Sequence, residues 1–234
     1  MQESWERKKT DNKVIVDYQD LEGNHRITLD KLIVATGRRP NTEGLAVAEA
    51  NLLLNESGFV HVDENCCTNL PNVYAIGDLT LLGPMLAHKG LEEGIFVAEH
   101  IVAGQRTPID YDIIPCVIYT EPEIAWVGQT EQSLKAMNEN YEVGIVALNA
   151  TGRGQASGKT DGMVKIISHA ETDKILGIHI IGSHASELIA EAVLAMVFSA
   201  SSEDLARTIH AHPSISEALY GAALKLDNRA VFHT

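Results

Sequence analysis

The amino-terminal stretch alternates. In "KVIVDY" apolar and polar positions change places at a period of two, the mark of a strand with one covered face. "LEGNH" supplies a turn centred on Gly23, and "RITLDKLIVATG" returns as a second strand ending in a buried run, Leu32 to Ala35. Gly37 and Pro40 of "GRRPN" stop that element. A loop region leads to the strand-like "GFVHVD". "NVYAIGD" then predicts another short buried strand, Val73 to Ile76, closed by Gly77 and Asp78. After the break "LLGPM" the period lengthens. Leu91, Ile95, Ala98 and Val102 recur at helical spacing in "LAHKGLEEGIFVAEHIVAG", which predicts a helix that Gly104 can end.

"RTPIDYD" reads as a boundary, polar and interrupted by Pro108. Beyond it "IIPCVIYT", "EIAWVG" and "VGIVALN" are strand-like, and Thr130 is placed to cap a helix reaching about Met137. "MVKIISHAETDKILGIHIIG" predicts a hairpin turning at "AETDK". Three helical segments close the chain: "ASELIAEAVLAMVFSA", "SSEDLARTI" and "SISEALYGAALKL". The second half therefore reads as a sheet followed by helices, an α+β pattern.

Composition narrows the function. The 234 residues are 45 % hydrophobic and 21 % charged, ordinary for a globular protein. Eighteen basic against 32 acidic side chains leave a formal charge of −14, which disfavours a nucleic-acid partner. No apolar run approaches the ~20 residues of a membrane span, and "MQESWERKKTDNK" has no apolar signal core. Three cysteines, Cys66, Cys67 and Cys116, fit a reducing compartment rather than a disulfide scaffold, so a cytoplasmic location is expected. The adjacent Cys66 and Cys67 read as plain thiols in a connecting segment.

Chemistry concentrates in four stretches. In "AIGD" a buried strand ends in Asp78, where a carboxylate suits ligand hydroxyls or the capping of a turn. Gly37 in "ATGRRPN" permits either a turn or the close approach of backbone to a cofactor. In "GPMLAHKGLEEG" a loop enters a helix, and the free amides near Met85, Leu86, Ala87 and His88 suit an anion or an electron-rich ring edge. The His88 side chain itself reads as solvent-exposed. In "HAHPSISEA", histidine exchanges a proton near neutral pH, and a carboxylate on one ring nitrogen would leave the other as a base. Glu217 stands five residues beyond His212, across Pro213. "SISE" is also a capping box, with Ser214 as the cap and Glu217 reaching back; a carboxylate has two oxygens and can serve both. A metal clip at His210 and His212 lacks further ligands nearby.

In order, "ATGRRPN", "TNLPNVYAIGD", "GPMLAHKGLEEG", "VIYTEPEIAWVG" and "HAHPSISEA" resemble the carboxyl-terminal half of the dihydrolipoamide dehydrogenases, flavoproteins of the pyridine nucleotide–disulfide oxidoreductase family. The resemblance covers essentially the whole chain, and it implies partial α/β nucleotide-binding domains, the end of an NAD-binding domain at 1–40 and a returning segment of an FAD-binding domain at 41–110, before an α+β interface domain at 111–234. It implies that Gly37 lies near the NAD dinucleotide, that Asp78 holds the FAD ribityl–phosphate region, and that Met85, Leu86, Ala87 and His88 run along the flavin. It implies that His212 is the acid–base residue, that Glu217 orients it, and that residues 111–234 form an interface domain of a homodimer. Dihydrolipoyl groups, carried on the lipoyl domain of a 2-oxo acid dehydrogenase complex, would be oxidised: His212 takes a thiol proton, the thiolate attacks an enzyme disulfide, and electrons pass through FAD to NAD+. The Gly-rich fingerprints and the C-x4-C pair of that family are not in this chain. Glutathione reductase, soluble transhydrogenase, mercuric reductase and a non-catalytic dimerisation fragment are the alternatives.

Overall fold

The computed structural model describes residues 6–10, 13–45, 47–104 and 108–229. Met1–Trp5 of the polar amino terminus, Arg106 and Thr107 of the "RTPIDYD" boundary and the closing "AVFHT" lie outside them. The chain divides into two compact units, Met1–Arg39 and Pro40–Thr234.

The first unit holds an antiparallel sheet of β1 (Glu6–Thr10), β2 (Lys13–Asp20) and β3 (Gly23–Leu29), in that order. Val16, opposite Ile27, is its buried centre. The β2–β3 turn falls on Leu21 and Glu22, with Glu22 N donating to the Asp20 carboxylate (2.8 Å). Sequence periodicity carried this strand too far. Leu32–Ala35 pairs with no described strand, and Ile33 and Val34 are exposed. An apolar segment becomes a strand only against a neighbour, and no described strand lies beside it.

The second unit opens with loops around a short helix, α1 (Val47–Ala50). "GFVHVD" contributes a single bridge, Leu54 to Val60. Val73–Ile76 also falls short of a strand. Ala75 N donates to Cys66 O (3.0 Å) and Thr68 N to Val73 O (2.9 Å), and the pairing stops there. The helix α2 (Ala87–Ala103) ends at Gly104 as expected. Leu91, Ile95 and Val102 are exposed, while Lys89, Glu93 and Phe96 are buried.

The rest of this unit is a five-stranded antiparallel sheet in the order β4-β5-β8-β7-β6: β4 (Cys116–Ile118), β5 (Glu123–Gly128), β6 (Tyr141–Ala147), β7 (Met163–His169) and β8 (Ile175–Gly182). Between strands stand α3 (Glu131–Met137), capped by Thr130 as expected, and α4 (Gly152–Ser157). The β7–β8 hairpin turns at "AETDK", with Asp173 in the left-handed region. Three helices follow: α5 (Ala185–Val197), α6 (Ser202–Arg207) and α7 (Glu217–Leu226). Alternate positions of the strands, among them Val127, Val146, Val164, Ile166, Ile178 and Ile180, face Ile189, Ala192, Leu219 and Ala223 of α5 and α7 and make the core. Gly144 on β6 sets how close α7 lies, for a Cβ there would stand 2.1 Å from the Ala222 carbonyl.

Candidate functional site

The loop between α6 and α7 carries His212. The first turn of α7 rests on the core, so Glu217 is buried while His212 remains mostly exposed, at 8 % and 74 % respectively. The Glu217 carboxylate divides its oxygens. Oε1 stands 2.9 Å from His212 Nδ1, and Oε2 accepts from Ser214 N at 2.9 Å. An ionised carboxylate only accepts, so a neutral ring in this contact carries its proton on Nδ1 and keeps Nε2 as a lone pair. The helix cap differs from the motif reading. Ser216, not Ser214, precedes α7 and makes no side-chain cap; Ser214 Oγ instead pairs with Ser216 Oγ (3.0 Å). Half of the capping box forms, the half made by Glu217. A Cβ at Gly152 would lie 3.5 Å from His212 Cε1, so the start of α4 flanks the ring. His210 turns the other way, with its nitrogens on Glu191 and on the Thr208 carbonyl, so the two imidazoles do not converge. Among the described residues no three His, Cys, Asp or Glu side chains cluster as metal ligands.

A second cluster forms where the "AIGD" segment meets α2. Gly77, Asp78 and Leu79 make one 3-10 turn, with Gly77 at φ +68°. A Cβ on Gly90 would come within 3.2 Å of Gly77 Cα, so the turn packs backbone to backbone on α2 through two glycines. A buried ion pair locks this contact. Lys89 Nζ donates to Gly77 O (2.8 Å) and Thr80 Oγ1 (3.2 Å), and stands 3.2 Å from Glu93 Oε1. Glu93 Oε2 accepts from Gly77 N (2.6 Å), and Tyr111 donates its hydroxyl to Oε1 (2.9 Å). Both charged side chains are fully buried, the arrangement a buried pair requires. Burial and the Glu93 carboxylate beside it raise the Tyr111 hydroxyl above its ordinary range, and burial first of all pushes the Cys66 thiol up to about 11. Cys66, Cys67 and Cys116 are all free thiols.

Met85 and Leu86 lead into α2, whose first residue is Ala87; Leu86 caps it with no side-chain bond. Ala87 and His88 are exposed, and His88 Nε2 pairs with Pro115 O (2.8 Å). The structure thus brings Asp78 and the Met85–His88 segment to one turn–helix junction. It offers a helix amino end with no side-chain cap, where amides donate, near a turn that carries a carboxylate. That donor set fits a ligand with polyol and electron-rich ring parts such as FAD. Gly37 belongs to the first unit. Its φ is +100° and a Cβ there would meet nothing within 4 Å, which leaves room for a ligand on the backbone.

Sequence reading missed Lys89, Glu93 and Tyr111. The one signal was the i,i+4 spacing in "KGLEE", which ordinarily marks an exposed pair.

Comparison with known proteins shows the family. Residues 1–94 match the pyridine nucleotide-disulphide oxidoreductase model and residues 114–223 match the pyridine nucleotide-disulphide oxidoreductase dimerisation domain. The chain belongs to the pyridine nucleotide–disulphide oxidoreductase family. Within this family it is similar to a dihydrolipoyl dehydrogenase of Cupriavidus necator, 50 % identical over 219 residues, covering 93 % of this chain and 46 % of the relative. A Trypanosoma brucei brucei dihydrolipoyl dehydrogenase is 51 % identical over 195 residues, 83 % of this chain and 40 % of the relative. The chain therefore spans under half the length of these relatives. Among solved structures, LpdA from Mycobacterium tuberculosis aligns with a TM-score of 0.86 at 27 % identity, over 94 % of this chain and 47 % of that one. Family members of this type pair FAD and NAD, in keeping with the expected cofactors. No described helix is long and apolar enough to cross a membrane.

Proposed function

We propose that this chain is the carboxyl-terminal part of a dihydrolipoamide dehydrogenase, and that His212, oriented by Glu217, is the group that takes and returns a proton at the dithiol substrate. The observation that carries the reading is the divided Glu217 carboxylate. One oxygen holds the Nδ1 proton of an exposed imidazole, and the other is fixed to the loop by the Ser214 amide. A base so held keeps one tautomer and one orientation, with Nε2 turned to the proton it must move. Thiolate, not thiol, attacks a disulfide, so removing that proton starts the chemistry.

Asp78 would hold hydroxyl groups of FAD, the Met85–His88 segment would line its ring, and Gly37 would sit by the NAD dinucleotide. FAD, when bound, relays an electron pair between a disulfide and the nicotinamide. We assign residues 1–40 to an NAD-binding domain, 41–110 to the returning part of an FAD-binding domain and 111–234 to the interface domain. Supporting this, the two family models leave a gap between 94 and 114 that contains Pro108. A homodimer is the working unit on this reading, and a lipoyl domain of a 2-oxo acid dehydrogenase complex carries the substrate. A cytoplasmic location fits the free thiols, though similar dihydrolipoyl dehydrogenases include mitochondrial ones such as that of Homo sapiens. The 234 residues alone have no C-x4-C pair, which favours a second reading of the isolated chain as a dimerisation module.

The test joins this chain to the amino-terminal half of the Cupriavidus necator relative. The reading expects about one flavin per chain and NAD+-linked oxidation of dihydrolipoamide. A folded, flavin-loaded dimer with no such activity contradicts it.

A further inference from the structure

Both ring nitrogens of His210 face oxygens that accept. Nε2 stands 2.6 Å from Glu191 Oε1 on α5, and Nδ1 stands 2.9 Å from the Thr208 carbonyl of its own loop. A neutral imidazole has one donor and one acceptor nitrogen. Against an ionised Glu191 it would set a lone pair against an oxygen lone pair at one end. An imidazolium donates at both. The ring is also enclosed: its side chain is 5 % exposed, against 74 % for His212 two positions on. The Tyr220 ring of α7 lies 5.4 Å away. The loop that carries His212 therefore has two anchors. Glu217 holds its carboxyl side through Ser214, and His210 ties its amino side to α5.

We propose that His210 is a buried imidazolium that clamps the His212 loop to α5 through Glu191, and so is a positioning residue for the His212–Glu217 pair. The last clause rests on the acid–base reading of His212; the charge state and the clamp do not. Glu191 faces the ring from α5, Glu217 and Tyr220 face it from α7, and Thr208 offers only its carbonyl. The balance favours the charged ring. The hydrogen bond to Glu191 raises the His210 pKa more than burial lowers it. A histidine raised above its ordinary value stabilises the fold fully below about pH 6.5 and loses that contribution as pH climbs through the raised value. The clamp is thus closed on the acid side and opens as pH climbs through the raised value.

Nitrogen-15 NMR of the histidine-labelled 234-residue chain, with hydrogen exchange at the Ser214 amide, tests this. At pH 7 both His210 ring nitrogens should carry protons. Glu191→Gln should lower the pH at which the ring loses its second proton by about one unit or more. His210→Gln should speed Ser214 exchange about tenfold or more, and Glu191→Gln should speed it in the same direction. A neutral wild-type ring at pH 7 with Nε2 bare, its proton on Glu191, overturns the proposal, and so does unchanged Ser214 exchange in both variants. The wild-type ring is read whether or not a variant folds. Neither readout depends on turnover, so failure here is separate from failure of the acid–base reading.

Discussion

Single residues in this chain do different work according to how completely they are enclosed. Glu217 is buried and fixed, and His212 is held by it yet open on its far side. Replacing Glu217 with Gln keeps the shape but puts an amide where Nδ1–H needs an acceptor of full charge. In the joined protein described above, dihydrolipoamide turnover should fall at least about tenfold while the flavin band is retained. Lys89 is the opposite case, a charge with no solvent at all. Lys89→Ala leaves Glu93 uncompensated in the interior and should cost roughly 3–5 kcal/mol of stability, read by denaturant unfolding. The His212–Glu217 contact was legible in the sequence because its partners stand five residues apart across one proline. The Lys89–Glu93 pair was not. Its burial is decided by Gly77, twelve residues upstream of Lys89, and by Tyr111, eighteen beyond Glu93. No window along the helix contains either.

Elements were legible where their partners are near in the chain. The β7–β8 hairpin, the Thr130-capped α3 and the closing helices follow from local pattern, since a turn or a cap is fixed by a few neighbouring residues. Leu32–Ala35 and Val73–Ile76 carry the same apolar signal and do not become strands, because pairing needs a neighbour that local pattern does not supply. The α2 stripe gave the helix and its end but not the face it buries. An apolar stripe marks a face that can be covered, and the face covered in this chain is the one that meets Gly77. The close seat of α7 on β6 gives a test at this scale. Gly144→Ala would drive a Cβ against the Ala222 carbonyl, a backbone atom that no rotamer change can move. It should destabilise the chain by roughly 2–3 kcal/mol, against under about 1 kcal/mol for an alanine at exposed Lys174, compared by thermal melting.

Across the whole molecule, two half-buried histidines set opposite slopes in the pH dependence of stability. His210 is raised and stabilises on the acid side. His179 is lowered, by burial first and then by Lys165 beside it, and neither of its ring nitrogens has a hydrogen-bond partner among the described residues. A ring that stays neutral in the fold but takes a proton when unfolded costs stability below about pH 6.5. His179→Phe should therefore flatten the acid-side loss, and His210→Gln should remove the alkaline-side loss, in unfolding curves taken between pH 5 and 9. The proposed function centres on a proton held at His212, an exposed imidazole oriented by the buried Glu217. The most direct test of that claim is dihydrolipoamide oxidation by NAD+ in the joined protein, measured with His212 and with His212→Gln at equal flavin content. The account predicts a fall of about 10²–10⁴-fold with the flavin band unchanged. Equal rates from the two proteins would contradict it.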